Sequence, residues 1–389
     1  MKEKMHKRIW LILIPIFSVF LLCTFITDSL KHMTSVEQVL TRKIEKGRSP
    51  SIQYFFFDKD SIIASCRLGF SDIARQKRPD PTTTYNAFSV TKTFTALAVV
   101  QLAERGVIDL NKLVKDYLPD FSYSEGITVK HLLTHSAGIP NPIPLSWIHL
   151  DSEHATFDRT TFFKPVFDKN NKVRFEPNEK FAYSNLGYLI LGQLIEKVSG
   201  QSYEAYIQQH IIDKLSVGSA ELGFTIANKE RHAKGYHKRF SFSNLVLGFF
   251  IDKSIYMGEA EGSWRPFKTF YVNGSPYGGL VGTPLAFVKY IQELLKPNSK
   301  LISEEFKQLL FLENITNNNK PTGMCLSWFT GTLHHTKYFA HAGGGGGYYC
   351  EIRIYPDINK GSVLFFNRTG MTDERFLDQL DIFYISGGQ

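Results

Sequence analysis

The stretch "AFSVTKTFTAL", residues 87–97, sets Ser89 and Lys92 three residues apart at the front of an apolar run. The run continues as "FTALAVVQLA" (94–103), apolar almost all round, and Gly106 follows it. This predicts a helix over 86–105 that is buried rather than amphipathic, with Asn86 as its N-cap. Residues three apart on a helix share one face, a turn from each other. First-turn N–H groups have no intrahelical partner, so the Ser89 N–H is free to stabilise an oxyanion while its hydroxyl faces the cleft at the helix mouth. Lys92 is within reach of that hydroxyl, but to take its proton the amine must be neutral. A free lysine titrates at roughly 10.4, so burial or nearby positive potential has to lower it. Two polar residues at the mouth of a buried helix satisfy the same pattern, and Ser-x-x-Lys alone does not separate the two readings.

Outward from this helix the chain alternates strand and helix signals. "MTSVEQVLTRKIEKG" (33–47) carries Val36, Leu40 and Ile44 at helical spacing and ends in glycine. "SIQYFFFD" (51–58) and "SIIASCRLGF" (61–70) read as a hairpin turning at Asp58-Lys59-Asp60. Residues 107–270 read as loops and helices, with "NLGYLILGQLIEKVSG" (185–200) the clearest helix and "HLLTHSAGIP" (131–140) a short one broken by Gly138 and Pro140. Strands are expected again in "GMCLSWFTG" (323–331), "YYCEIRIYP" (348–356) and "GSVLFFNR" (361–368), before a last helix over 373–386. The expected class is α+β, an α/β sandwich plus a helical insertion. A mainly antiparallel sheet flanked by N- and C-terminal helices would form one lobe (about 33–106 and 271–386), and about 107–270 a mostly helical second lobe.

The composition is that of a globular protein: 389 residues, 43% hydrophobic and 21% charged. Its net charge of +8 is a mild excess and points to no nucleic-acid partner. Residues 9–27, "IWLILIPIFSVFLLCTFIT", hold no charge and follow Lys2, Lys4, Lys7 and Arg8. With no small-x-small cleavage site after it, segment 1–30 is expected to be an uncleaved membrane anchor rather than a removed signal, with the rest of the chain on the external side. Cys66, Cys325 and Cys350 lie far apart, without metal-ligand spacing, and read as small buried hydrophobes.

Two later stretches join the opening motif. Tyr183-Ser184-Asn185 precedes the 185–200 helix; a tyrosine hydroxyl can relay protons, and an asparagine amide can hold a substrate amide by donor and acceptor. His341-Ala342-Gly343 opens a strand where glycine lets a substrate lie against the edge, and the next N–H, on Gly344, is a candidate second oxyanion donor. On these residues the chain resembles the serine β-lactamase and penicillin-binding-protein superfamily. It is most similar to the branch of class C β-lactamases, D-alanyl-D-alanine carboxypeptidases and related esterases. That family's order is Ser-x-x-Lys, Tyr-x-Asn, then Lys-Thr-Gly or His-x-Gly. The connectors 131–140, 183–200, 233–236 and 277–295 look alike too, so the resemblance covers about 34–386.

The resemblance implies Ser89 as acylated nucleophile and Lys92 with Tyr183 as its proton partners. It implies Asn185, His341 and Gly343 as substrate contacts, and the Ser89 and Gly344 N–H groups as the oxyanion hole. It calls for no metal or organic cofactor, and for a small peptide, amide or ester as substrate, a D-amino-acid peptide among them. One departure matters: His341-Ala342 stands where Lys-Thr would hold a β-lactam carboxylate. Histidine is only partly charged near neutral pH and alanine has no hydroxyl, so a true β-lactamase is the weaker expectation. A catalytically silent member that binds wall peptide or a partner protein is the alternative from another class.

Other candidates are set aside on chemistry. Tyr271-Val-Asn273 repeats Tyr-x-Asn in what reads as a Gly/Pro-rich loop. His131 and His135, at i and i+4, have no HExxH glutamate between them. The basic run 228–240 reads as a solvated loop and strand edge, open to contact with anionic wall polymer or lipid. The five glycines 343–347 lack the Lys-Ser/Thr of a phosphate cradle. Asn273, Asn314 and Asn367 open N-x-S/T sequons.

Overall fold

The computed structural model describes residues 33–369 and 375–385, and the apolar segment 9–27 lies outside them. Ser35 caps helix α1, Val36–Glu45, through its side chain, and the chain enters the hairpin β1, Ser51–Asp58, and β2, Ile62–Gly69. Helix α2, Thr91–Glu104, is buried from Thr91 through Leu102, as its all-round apolarity requires. The short α3, Val129–Leu133, and the long α4, Asn185–Ser199, follow; Gly200, in the left-handed conformation, closes α4. Then come α5, Phe242–Leu247, and α6, Pro284–Leu295, the strands β3, Phe329–Leu333, β4, Thr336–Gly345, β5, Tyr348–Tyr355, and β6, Lys360–Phe366, and finally α7, Asp378–Ile385.

The six strands form one antiparallel sheet in the order β3-β4-β5-β6-β1-β2. The first and last parts of the chain therefore meet at its centre, where Ile52 opposes Phe366. Alternation along the strands feeds two cores. Phe55, Phe57, Ile352, Val363 and Phe365 pack with α2, α4 and α6 on one face. Tyr54, Phe56, Tyr355 and Leu364 pack under α1 and α7 on the other. The outer face also buries a polar network. Arg353, fully inaccessible, donates to Glu351 (2.7 Å) and Asp378 (2.6 Å), while Asp381 accepts from Tyr54, Tyr355 and Ser362 at 2.6–2.8 Å.

Several expectations need correction. Asn86 does not cap the helix: Tyr85–Asn86 pairs as a short strand with Val281–Gly282, and Ala87 N continues that link to Leu280 O (2.8 Å). A 3-10 turn, Phe88–Val90, then leads into α2, so Ser89 sits in that turn and not in the helix proper. "GMCLSWFTG" is strand only from Phe329; Ser327 takes φ +71, which breaks extension. Tyr271 lies in a short strand, Phe270–Val272, paired with Ile148–Leu150, not in a loop. Cys325 and Cys350 are buried thiols, but Cys66 is half-exposed. The sequon residues Asn273, Asn314 and Asn367 are all buried, which closes them to glycosyl transfer on the folded chain.

Candidate active site

The 88–90 turn is held in an unusual shape. Phe88 has φ +44, a left-handed conformation rare for a bulky residue. Its ring packs against Phe270 and Tyr348 (centroids 6.3 Å from each), which holds the turn and presents Ser89. Strand β4 runs beside it. Gly343 has to be glycine: a Cβ there would stand 2.2 Å from Ala87 O and 3.0 Å from Ser89 N, both backbone atoms. Pairing between β3 and β4 ends at Phe329–Ala340, whereas β4 pairs with β5 up to Gly345–Tyr348. Residues 341–345 thus have a strand on one side only, and their other edge borders the cleft. The turn that follows uses Gly346 and Gly347 at φ +45 and +93.

Lys92 lies behind Ser89. It is fully buried, with Nζ 3.0 Å from Ser89 Oγ and 2.8 Å from Tyr277 O. The rings of Tyr183, Tyr277 and Tyr188 surround the amine at 4.8, 5.3 and 5.6 Å from their centroids. Burial drives its pKa well below the ordinary lysine value, the condition required of a proton acceptor.

Tyr183 is positioned by His135. The two rings meet tilted by 31° with centroids 4.2 Å apart, and the Ser184 N–H donates to His135 Nδ1 (3.1 Å), which leaves the hydrogen on Nε2. The Ser184 side chain caps α4 and donates to Pro140 O, so the "HSAGIP" loop and the Tyr-x-Asn segment are built as one unit. Asn185 opens α4; its N–H donates to Asn141 Oδ1 (3.0 Å), and its own buried carboxamide oxygen has no partner among the described residues.

His341 is buried, and its Nδ1 donates to Ser327 O (2.5 Å). Nε2 is therefore an acceptor, and it has no partner among the described residues. Burial first, and the nearby Lys92 second, push its pKa down to about 3. The expectation of a partly charged histidine is thus overturned: at neutral pH this imidazole carries no charge. Tyr183 and His341 rings stand 6.4 Å apart.

The cleft, about 1220 Å³, brings Ser89, Tyr183, His341, Gly343 and Gly344 to one wall. Lys92 and Asn185 are not on that wall; both are buried. His135, Tyr188 and Tyr277 belong to none of the three motifs that mark this site in the sequence. The short spacing of Tyr188 from Asn185 was a usable signal; nothing local marks Tyr277. The set-aside pair stays apart from this site. Asn273 bonds His149 (2.8 Å), and Tyr271 stacks on His154 at 3.6 Å. His131 serves to cap α3.

A serine at the cleft with a buried lysine behind it, a tyrosine beside them and an open strand edge facing the serine form a constellation suited to acyl transfer. Residues 36–384 match the Beta-lactamase family, and the chain belongs to it, within the serine β-lactamase and penicillin-binding-protein superfamily. Among curated relatives it is 25% identical over 342 residues to Protein flp of Staphylococcus aureus, strain MW2, covering 85% of this chain and 62% of that protein. It is 26% identical over 311 residues to penicillin-binding protein 4* of Bacillus subtilis, strain 168, covering 79% and 65%. The chain thus spans less than two thirds of the length of either relative. Three solved structures share the fold. The octameric penicillin-binding protein homologue of Pyrococcus abyssi has a TM-score of 0.71 at 24% identity, covering 90% and 76% of the two chains. The D-amino acid amidase of Ochrobactrum anthropi SV3 has 0.70 at 16%, covering 90% and 98%. A class C beta-lactamase has 0.69 at 16%, covering 91% and 95%.

Proposed function

We propose that the protein is a serine hydrolase that forms an acyl-enzyme on Ser89 and passes the acyl group to water. The observation that carries this reading is the Lys92 amine, buried and 3.0 Å from Ser89 Oγ. In acylation the Ser89 Oγ–carbon bond forms as the substrate's C–N or C–O bond breaks. The hydroxyl proton leaves through the Lys92–Tyr183 pair to the departing amine or alcohol. Water then attacks the ester, gives a proton back through the same pair, and frees Ser89. The Ser89 and Gly344 N–H groups are assigned to the oxyanion, and the Gly343 contact with the nucleophile turn supports that assignment. The Asn185 oxygen, unpaired among the described residues, suits a substrate N–H.

The substrate on this reading is a peptide, amide or ester whose binding does not depend on a carboxylate beside the scissile bond. Neutral His341 and Ala342 offer no charge or hydroxyl to such a carboxylate, which disfavours efficient β-lactam hydrolysis. Because one fold neighbour is a D-amino acid amidase, D-amino-acid amides and peptides are the first substrates to screen. The same reading has segment 9–27 anchoring the chain, with the hydrolase on the external face; its support is the uncharged run after basic residues. Among the described residues no helix is long and apolar enough to cross a membrane.

A fluorophosphonate or fluorescent penicillin is expected to label the chain at Ser89, located by mass mapping and lost in Ser89→Ala. Lys92→Ala and Tyr183→Phe are expected to depress labelling with the fold retained. A folded chain that takes neither label and cleaves no ester in a broad panel would instead support a non-catalytic binding member. Release of the chain from membranes by carbonate would overturn the anchor.

A further inference from the structure

A stripe of large apolar side chains lies uncovered at the mouth of the cleft. In "KRFSFSNLVLGFF" (238–250), Phe240, Phe242, Leu245 and Phe249 are 82%, 80%, 62% and 81% exposed. Ser241 caps α5, and turns carry the helical path on to Ile251, whose N–H reaches Leu247 O (3.1 Å). Phe242, Leu245 and Phe249 fall at i, i+3 and i+7, so they form one outward stripe. The other side faces in: Leu247 and Ile251 are buried, and Val246 and Leu247 line the cleft, which Phe242 at the end of the stripe also borders. Solvent does not favour such a stripe, and contiguous exposed apolar surface marks an interaction site.

Charge identifies the partner. Lys238 and Arg239 precede the stripe, and Lys253, Arg265 and Lys268 follow it. None of these five cations pairs with a carboxylate among the described residues, although other members of the basic run do: Lys229 with Asp151, and Lys234 with Asp72 and Glu261. Residues 238–268 hold only three acids, Asp252, Glu259 and Glu261, and the last is already taken by Lys234. Lys238 and Arg239 instead lie over the rings of Trp264 and Phe240. A second copy of this chain would set the five cations against themselves. An anionic bilayer offers phosphates to the cations and an acyl boundary to the phenylalanines, the pairing that interfacial helices use.

We propose that the 238–250 segment docks on an anionic phospholipid surface, seating Phe240, Phe242, Leu245 and Phe249 at the headgroup–acyl boundary and holding the cleft mouth against the membrane. This contact is independent of segment 9–27 and of the chemistry at Ser89. The test uses the full chain reconstituted in phosphatidylglycerol–phosphatidylcholine vesicles carrying a diazirine-acyl lipid, with photo-adducts mapped by mass spectrometry. Adducts are expected on 240–249, reported separately from any on 9–27. They should fall about tenfold or more in the Phe240→Ser/Leu245→Ser/Phe249→Ser variant. In the unmodified chain they should fall several-fold at about 1 M salt or when phosphatidylglycerol is omitted. The salt response needs no variant and so stands if the triple substitution misfolds. Adducts confined to 9–27, labelling of 240–249 indifferent to lipid charge, or a sedimentation dimer that hides the stripe from lipid would each overturn the proposal.

Discussion

Replacing Lys92 by Met separates chemistry from folding at one atom. With an ordinary pKa of about 10.4, roughly one lysine in 2,500 is neutral at pH 7. Each unit by which burial lowers the pKa multiplies that fraction tenfold, and costs about 1.4 kcal/mol of stability at pH values below the folded-state pKa. The sign follows from proton counting. The unfolded chain binds the proton that the folded chain refuses, so the cost is absent above about pH 10.4 and grows as pH falls toward the depressed value. Methionine fills similar volume and carries no such cost, but it leaves Tyr277 O without its 2.8 Å donor, a loss of about 1–3 kcal/mol. The two effects oppose, so Lys92→Met is expected to unfold close to or above the wild-type temperature at pH 7. Acylation should meanwhile fall by about 10²–10⁴, the contribution of a positioned proton acceptor. The assay is the second-order rate of fluorophosphonate labelling against pH, read beside thermal denaturation. Wild-type labelling should rise with pH through the depressed Lys92 pKa, and the variant should lose that limb. A folded variant that labels within about tenfold of wild type with the same limb would refute the assignment.

Three further outcomes rest on single contacts. Gly343→Ala drives a Cβ to 2.2 Å from Ala87 O, which cannot rotate away; about 1–3 kcal/mol of stability and most labelling at Ser89 should go together in paired melting and labelling experiments. The His341 ring, with its pKa pushed down to about 3, should show a neutral Nδ1–H imidazole by ¹⁵N NMR without titrating between about pH 5 and 8; protonation in that window would contradict the burial argument. Arg353→Met strips the buried Glu351 and Asp381 of their cation, so calorimetry should register a loss of about 3–5 kcal/mol.

The elements that could be read directly were those with a local cause. The 51–69 hairpin, the strand at 348, the 185–199 helix with its glycine stop and the buried helix after Ser89 all carry period or capping signals in their own residues. Asn86 and Ser327 escape local reading because their conformations answer to distant partners: Asn86 is held by the strand at 281, and the Ser327 N–H by Leu133 O. The same holds for Tyr277, whose carbonyl and ring reach Lys92 from 185 residues further along the chain.

By itself the sequence placed Ser89 and Lys92 within reach of each other, because residues three apart at the start of a helix stay together wherever that helix goes. It also determined the antiparallel sheet, because strand alternation is a two-residue property. Only the tertiary structure decided the protonation states. Whether Lys92 is neutral and His341 uncharged depends on how much water the folded chain excludes, a sum over residues scattered from 89 to 341 that no local pattern carries.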